Sequence, residues 1–280
     1  MLSYRHAYHA GNFADLLKHL VLVRCLRYLT LKEKPLLYLD THAGAGSYSL
    51  SSQQAGMNQE FLTGIGRIWD REDLPEAISN YLALVRQFNT DGKLRRYPGS
   101  PWFATQLLRQ QDRMLLHELH PADFAQLKKR FSGIRRCQIR QEDGFKACRA
   151  LLPPIERRGL ILIDPPYEIK HDYQRVAETL IEAHRRFATG CYLIWYPVVD
   201  RSRIERLRKT LATSGIRRIL LLELGIEADT HGHGMTASGM ILVNPPWQLA
   251  AEMTPALDFL ARLLGYDGQG HSHVIELVGE

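Results

Sequence analysis

The sequence predicts an α/β protein built on an open, mostly parallel sheet flanked by helices, and three observations predict it. The first is Leu160-Ile161-Leu162-Ile163-Asp164-Pro165-Pro166-Tyr167, a short apolar run that stops at an acid, two prolines and an aromatic. Such a run reads as a buried central strand, ended by prolines that offer no N–H to the ladder. The second is Pro35-Leu36-Leu37-Tyr38-Leu39-Asp40 running into Thr41-His42-Ala43-Gly44-Ala45-Gly46. A buried strand followed by a glycine-rich loop is the arrangement in which backbone approaches a nucleotide-like ligand. The third is that Asp40, Glu118 and the Glu142-Asp143 pair follow three successive predicted strands. Each would be a commonplace loop acid by itself; together they outline the crevice beyond the strand ends where open sheets bind ligands.

The residues after the 160–163 strand suit a specific chemistry. An exocyclic ring amine is a poor nucleophile because its lone pair is delocalised. A carboxylate and a carbonyl that accept its two hydrogens pull the nitrogen toward tetrahedral geometry and aim the lone pair. Asp164 supplies the carboxylate, the Pro165 carbonyl the second acceptor, and Tyr167 a face on which a base stacks for about 1–3 kcal/mol. The bland alternative is a proline turn with a solvated Asp164.

The totals narrow the classes. With 280 residues there is ample core for one large domain or two small ones. No apolar segment reaches membrane-spanning length and MLSYRHAYHAGN lacks a signal-peptide run, so the expected location is the cytoplasm, with no membrane partner. Cys25, Cys137, Cys148 and Cys191 are scattered without zinc-ligand spacing, which predicts reduced thiols and no metal. A net charge of +6 favours a polyanionic partner.

Along the chain, residues 1–20 gather Tyr4, Arg5, His6, Tyr8, His9, Asn12, Asp15, Lys18 and His19 around Gly11. This polar cluster has no core to fill; it reads either as a frayed tail or as a lid over a ligand. A helix starts after Asn12 and runs to about Tyr28. The glycines at 44 and 46 do not spell GxGxxG, which disfavours a pyrophosphate cradle and suits S-adenosylmethionine; His42 either lines that pocket or caps a turn. Residues 49–97 form a small helical insertion after the first strand, interrupted at Asp73-Leu74-Pro75, and Tyr97-Pro98-Gly99-Ser100-Pro101 returns the chain to the core. The domain reading is a core of 1–48 plus 98–280 and an insertion of 49–97.

Strands follow at 114–120, with Glu118 near the end placed to hold ribose hydroxyls, and at 136–140, leading to a turn at 142–144 suited to an adenine amino group. Further strands lie at 190–197, 216–224 and 238–243, and helices at 121–131, 172–187 and 201–213, the last with basic residues on its outer face. His231 and His233 read as loop histidines without metal partners. Asn244-Pro245-Pro246-Trp247 is a second acceptor-Pro-Pro-aromatic motif, read as structural because it follows the last strand. The tail at 266–273 reads as loop.

With these residues assembled, the chain resembles the class I S-adenosylmethionine-dependent amino-methyltransferases, which carry a D/N-P-P-Y/F/W motif after the fourth strand. More closely, YRHAYHAGNFADLLKH, YLDTHAGAGSY, YPGSP and GLILIDPPYE together resemble a bacterial family of 23S ribosomal RNA adenine-N6-methyltransferases, over nearly the whole chain. The resemblance implies a Rossmann-like, seven-stranded sheet, methylation of one adenine of 23S rRNA, S-adenosylmethionine as methyl donor with S-adenosylhomocysteine as product, and a monomeric chain. It also implies that His19, His42, Ser100, Glu118, Asp143, Gly144 and Asp164 form the cofactor pocket, that Asp164 accepts the proton, and that Tyr4 contacts substrate, with His6 and Lys18 in the same motif. Two rivals remain: a glutamine-amide protein methyltransferase, which usually presents Asn at position 164, and a non-catalytic RNA-binding protein of the same fold.

Overall fold

The computed structural model describes residues 6–169, 171–229 and 234–280, apart from the side chains of 53, 54 and 56. Tyr4, His231 and His233 lie outside the described residues.

Helix α1 (Phe13–Leu29) starts where Asn12 takes an extended conformation and its side chain accepts a hydrogen bond from the Asp15 N–H. It is buried on nearly every side, so its apolar residues do not form a single stripe. Strand β1 (Leu37–Asp40) enters the glycine loop, and β2 (Ser47–Ser49) leaves it. Helices α2 (Gln53–Asn58), α3 (Glu60–Thr63) and α4 (Glu76–Phe88) follow, α4 beginning directly after Pro75. Strand β3 (Arg96–Pro98) then pairs antiparallel with β2 and closes the excursion at its root.

The remainder alternates: α5 (Ser100–Leu107), β4 (Arg113–His117), α6 (Pro121–Phe131), β5 (Cys137–Arg140), α7 (Gly144–Leu151), β6 (Gly159–Ile163), α8 (Asp172–Arg186), β7 (Cys191–Val198), α9 (Arg201–Ala212), β8 (Ile219–Gly225), β9 (Ala237–Val243), α10 (Leu249–Leu264) and β10 (His271–Val278). The main sheet runs β10-β8-β9-β7-β6-β1-β4-β5. The pairings that join β7, β6, β1, β4 and β5 are parallel, and those that add β9, β8 and β10 are antiparallel.

Two apolar layers sandwich this sheet, and strand alternation decides which side chain joins which. Tyr38, Leu160, Leu162 and Leu193 face α1, α4, α5 and α10, whereas Leu37, Leu39, Ile161, Ile163 and Ile194 face α7, α8 and α9. The open α/β sheet with flanking helices is as expected, but it has eight strands rather than seven. The extra one is β10: the segment expected to be loop at 266–273 is a single helical turn at Tyr266–Gly268 followed by a strand paired to β8.

β9 runs antiparallel to β7, with Val243 opposite Tyr192 near the start of β7. Asn244 therefore sits at the sheet edge opposite the ends of the parallel strands. Its amide donates to the carbonyls of Ala188 and Gly190 at 2.8 Å each, a turn-holding role. The two Pro-Pro motifs are separated by strand direction. Asp164 follows β6 next to β1, where the order of strands reverses.

Candidate active site

A cavity of about 700 Å³ opens over the carboxyl ends of β1, β4, β5 and β6, a volume typical of small-molecule sites. Its walls bring together His6, Lys18, His19, His42, Ser100, Glu118, Asp143, Gly144, Asp164, Pro165 and Tyr167. Every described residue expected to touch cofactor or substrate thus borders one space, whereas Asp40 and Glu142 do not line it, and the structure gives several of the lining residues partners that sequence does not reveal.

Asp164 stands one residue beyond β6, its side chain 14 % exposed. Lys18 Nζ donates to its Oδ2 at 2.7 Å and lies 2.9 Å from Asp15 Oδ1. The other oxygen of Asp15 accepts from the Gly11 N–H at 2.9 Å and meets His6 Nε2 at 2.8 Å. One ammonium is therefore shared by two carboxylates, with a histidine behind the second. Burial works against every charge here, but the paired carboxylates outweigh it at Lys18 and hold the amine firmly protonated. At Asp15 the charges of His6 and Lys18 likewise overcome burial, and its pKa falls well below the usual range. At Asp164 burial prevails over Lys18 and the pKa rises. Asp15 was only one member of the N-terminal polar cluster in the sequence; that it is buried beneath Lys18 became visible only in the fold.

Tyr167 adopts a left-handed backbone conformation, φ 52°, and its hydroxyl donates to the Trp195 carbonyl at 2.6 Å. Its ring packs 4.5 Å from Tyr173 and 5.8 Å from Trp195. The ring is thus pinned at its far end while it borders the cavity. Trp195 also borders the cavity, 5.7 Å from Lys18 Nζ, and carried no signal in the sequence beyond its place in a strand.

The opposite wall is backbone held by acids. Glu118 accepts from the Gly44 N–H at 2.8 Å and the His120 N–H at 2.7 Å, so it fixes the glycine loop as well as facing the cavity. Burial pushes its carboxyl up to about 7. Gly44 has φ 59°, and a Cβ there would lie 2.2 Å from the Tyr48 hydroxyl; a Cβ on Gly144 would lie 1.9 Å from the Thr41 carbonyl. Asp143 caps α7 through the N–H groups of Phe145 and Lys146, and its second oxygen pairs with Arg175. The Arg175 guanidinium lies 4.2 Å from the Phe145 ring, so a cation not foreseen from sequence closes this corner.

Ser100 borders the cavity, but its hydroxyl donates to Asp40 at 2.7 Å, as does the Tyr38 hydroxyl. Asp40 is fully buried and its carboxyl is pushed up to about 6 by burial. It ties β1 to the start of α5 and so sets the shape of the loop between them. His19 is buried against Phe103, bonded to the Tyr97 hydroxyl at 2.8 Å, and burial keeps it neutral. Burial lowers His42 to about 3, with its ring edge-on to Phe145. The neutral histidines, the small-residue loop and the acids suit an adenosyl group with a cationic substituent, and no dinucleotide cradle is present among the described residues.

Among the described residues, Glu223, His271 and His273 are the cluster whose ligand atoms lie close enough to share a metal ion. Glu223 is already held by Arg201 and by the Tyr196 hydroxyl, a cationic setting ill suited to a second cation. The basic face of α9 is likewise largely engaged: Arg201 pairs with Glu223 and Asp229, Arg203 with Asp200 and Arg208 with Glu205.

Residues 33–278 match the family model described as ribosomal RNA large subunit methyltransferase D, RlmJ. The ribosomal RNA large subunit methyltransferase J of Escherichia coli (strain K12) is 51 % identical over 280 residues, covering all of both chains. The protein of the same name from Haemophilus influenzae is 51 % identical over 271 residues, covering 96 % of each. A crystal structure of a Legionella pneumophila protein, 38 % identical, superposes over 96 % of this chain and 98 % of that one with a TM-score of 0.90. With the match spanning nearly the full length, the chain belongs to the RlmJ family of ribosomal RNA large subunit methyltransferases.

Proposed function

We propose that the protein methylates the exocyclic N6 amino group of one adenine in 23S ribosomal RNA, with S-adenosylmethionine as donor. The observation that carries this reading is that Asp164 lines the same cavity as the loop that Glu118 holds. Bound S-adenosylmethionine supplies a methyl group made electrophilic by its sulfonium.

The chain's own residues supply orientation, water exclusion and a proton path. Asp164 accepts one hydrogen of the adenine amine and the Pro165 carbonyl the other, which localises the lone pair on nitrogen. Tyr167, pinned by its hydroxyl to the Trp195 carbonyl, offers a ring face to the flipped base. Lys18 aims the Asp164 carboxylate, since its shared ammonium bonds one oxygen and leaves the other to the amine. When nitrogen gains the methyl group it becomes acidic and releases one proton, to Asp164 or to water; the raised pKa of Asp164 favours receipt. Glu118 accepts the ribose hydroxyls, and His19, His42, Asp143 and Gly144 border the adenosyl group. His6 and Lys18 belong to the substrate side of the cavity, and Tyr4, of the same sequence motif, is assigned to substrate contact.

The direct test is transfer of labelled methyl groups by the purified protein into 23S rRNA transcribed without modification, followed by nucleoside mass spectrometry. N6-methyladenosine at a single position is expected. Methylation of another atom, or label taken up by protein and not by RNA, would refute the reading.

A further inference from the structure

A second cavity, about 390 Å³, lies against the other side of the glycine loop. The loop that follows β1 and the strand β2 that leaves it give Ala43, Gly44 and Tyr48 to the main cavity and Gly46 and Ser47 to this one. The remaining walls are aromatic and basic. Phe88 at the end of α4 and Trp102 in α5 meet edge-on at 5.0 Å, and both are half-buried. Arg96 lays its guanidinium 4.7 Å from the Phe88 ring, and Phe131 forms the floor.

Charge singles this cavity out. Arg96 donates to the Phe88 carbonyl at 3.0 Å and Arg130 to the Ala45 carbonyl at 2.6 Å and the Gln126 side-chain amide oxygen at 3.3 Å, so both are positioned by neutral acceptors. Among the described residues neither has a carboxylate within ion-pair distance, whereas most arginines of α9 do. Burial first and the charge of Arg96 second pull Arg130 below the usual guanidine range. Two guanidiniums that repel each other beside an aromatic hollow make a setting that favours an anion. Lys128 and Lys129 precede Arg130 in the last turn of α6, and Arg136 donates to the Thr105 carbonyl on the cavity wall.

We propose that this cavity is a second nucleotide site, holding one nucleotide of the RNA substrate other than the target adenine, its base against Trp102 and its phosphate between Arg96 and Arg130. The inference rests on the RNA-methylating reading above and extends it to how the substrate is gripped. Trp and Arg planes are stacking surfaces for unpaired bases, and paired guanidiniums are bidentate phosphate ligands. Because Arg130 also holds the Ala45 carbonyl, filling this site steadies the loop that borders the main cavity.

The test uses the full chain with unmodified 23S rRNA as probe and compares Arg96→Glu and Trp102→Leu with the parent. The expected result is a KM for RNA raised about tenfold in Arg96→Glu, with kcat and the affinity for S-adenosylhomocysteine unchanged and a salt dependence of RNA binding shallower by about one unit. Trp102→Leu is expected to raise KM several-fold with the salt slope unaltered, as for loss of stacking. Ultraviolet crosslinking is expected to join the peptide bearing Trp102 to RNA. An unchanged KM and salt slope in Arg96→Glu would overturn the inference. So would saturable binding of free adenosine monophosphate that Arg96→Glu abolishes while KM for RNA stays put, since that outcome assigns the cavity to a free nucleotide. If the parent protein itself transfers no methyl group to rRNA, the underlying reading fails instead, which this series registers separately.

Discussion

The Lys18 ammonium is held between the carboxylates of Asp15 and Asp164, at 2.9 and 2.7 Å, and Asp15 in turn meets His6. Removing one partner of a buried ion pair leaves an unbalanced charge and costs about 3–5 kcal/mol. Lys18→Met is expected to lose about 3 kcal/mol of unfolding free energy in urea, because Asp164 faces the cavity and keeps some water. Restoring part of that loss with Asp15→Asn in the same chain checks that charge imbalance is the cause. Glu118 makes a second prediction. Its carboxyl sits at about 7 in the folded protein against an ordinary 4.5, so the native state holds a proton that the unfolded chain has released between those values. The penalty is absent below pH 4.5, grows as pH rises through the window and is complete above 7, a span of about 3 kcal/mol. Glu118→Gln lacks this titration. Its stability relative to the parent is expected to climb between pH 4.5 and 7 and to be flat on either side, as read from denaturation midpoints at each pH. Legibility at this scale was uneven. Asp164 announced itself through the motif that follows a buried strand, but Asp15, Trp195 and Arg175 did not. Trp195 and Arg175 meet partners 177 and 32 positions away in sequence, Lys18 and Asp143, and Asp15 matters through Lys18, whose other carboxylate, Asp164, lies 146 positions on.

Secondary structure was read most easily where one local rule decided it. Asn12 caps α1 and prolines end β6, each as its residue type demands. β10 was hidden because its residues are half-buried along almost the whole strand, without alternation between core and solvent, and its partner β8 lies some fifty residues earlier. The glycine loop shows why composition and not only pattern matters. Gly144 opens α7 directly against the Thr41 carbonyl, and no side chain fits between them. Gly144→Ala is expected to push α7 off the loop after β1, at roughly 1–3 kcal/mol of stability. Affinity for S-adenosylhomocysteine, measured by calorimetry, is expected to fall more steeply than stability does, since the displaced pieces are adjoining walls of the same cavity.

At the scale of the whole molecule, the N-terminal residues and the helices between β2 and β3 are stitched together. Glu60 accepts from His9 at 2.8 Å and from the Asn12 amide at 2.9 Å, and the Ile65 N–H donates to the Gly11 carbonyl. His9 is raised above its ordinary pKa by the hydrogen bond to Glu60, so its share of this link is full below about pH 6.5 and fades as pH rises through the higher folded value. Glu60 is lowered, against burial, by His9 and Asn12, so its share is lost as pH falls below its ordinary 4.5. Glu60→Gln is expected to cost about 1 kcal/mol near pH 5.5 and less above pH 7, and to speed amide exchange through residues 9–12. None of this tie was legible in the sequence, where 1–20 and 49–97 read as separate features. The sheet that both overlie was legible, because strand composition and the acids at strand ends are local. If the Asp164 carboxylate orients an adenine amine, Asp164→Ala, assayed for methyl transfer to unmodified 23S rRNA alongside calorimetric binding of S-adenosylhomocysteine, is the decisive variant. Transfer is expected to fall by at least about a thousandfold with cofactor affinity changed by less than about tenfold; turnover within a few-fold of the parent would refute that role for Asp164.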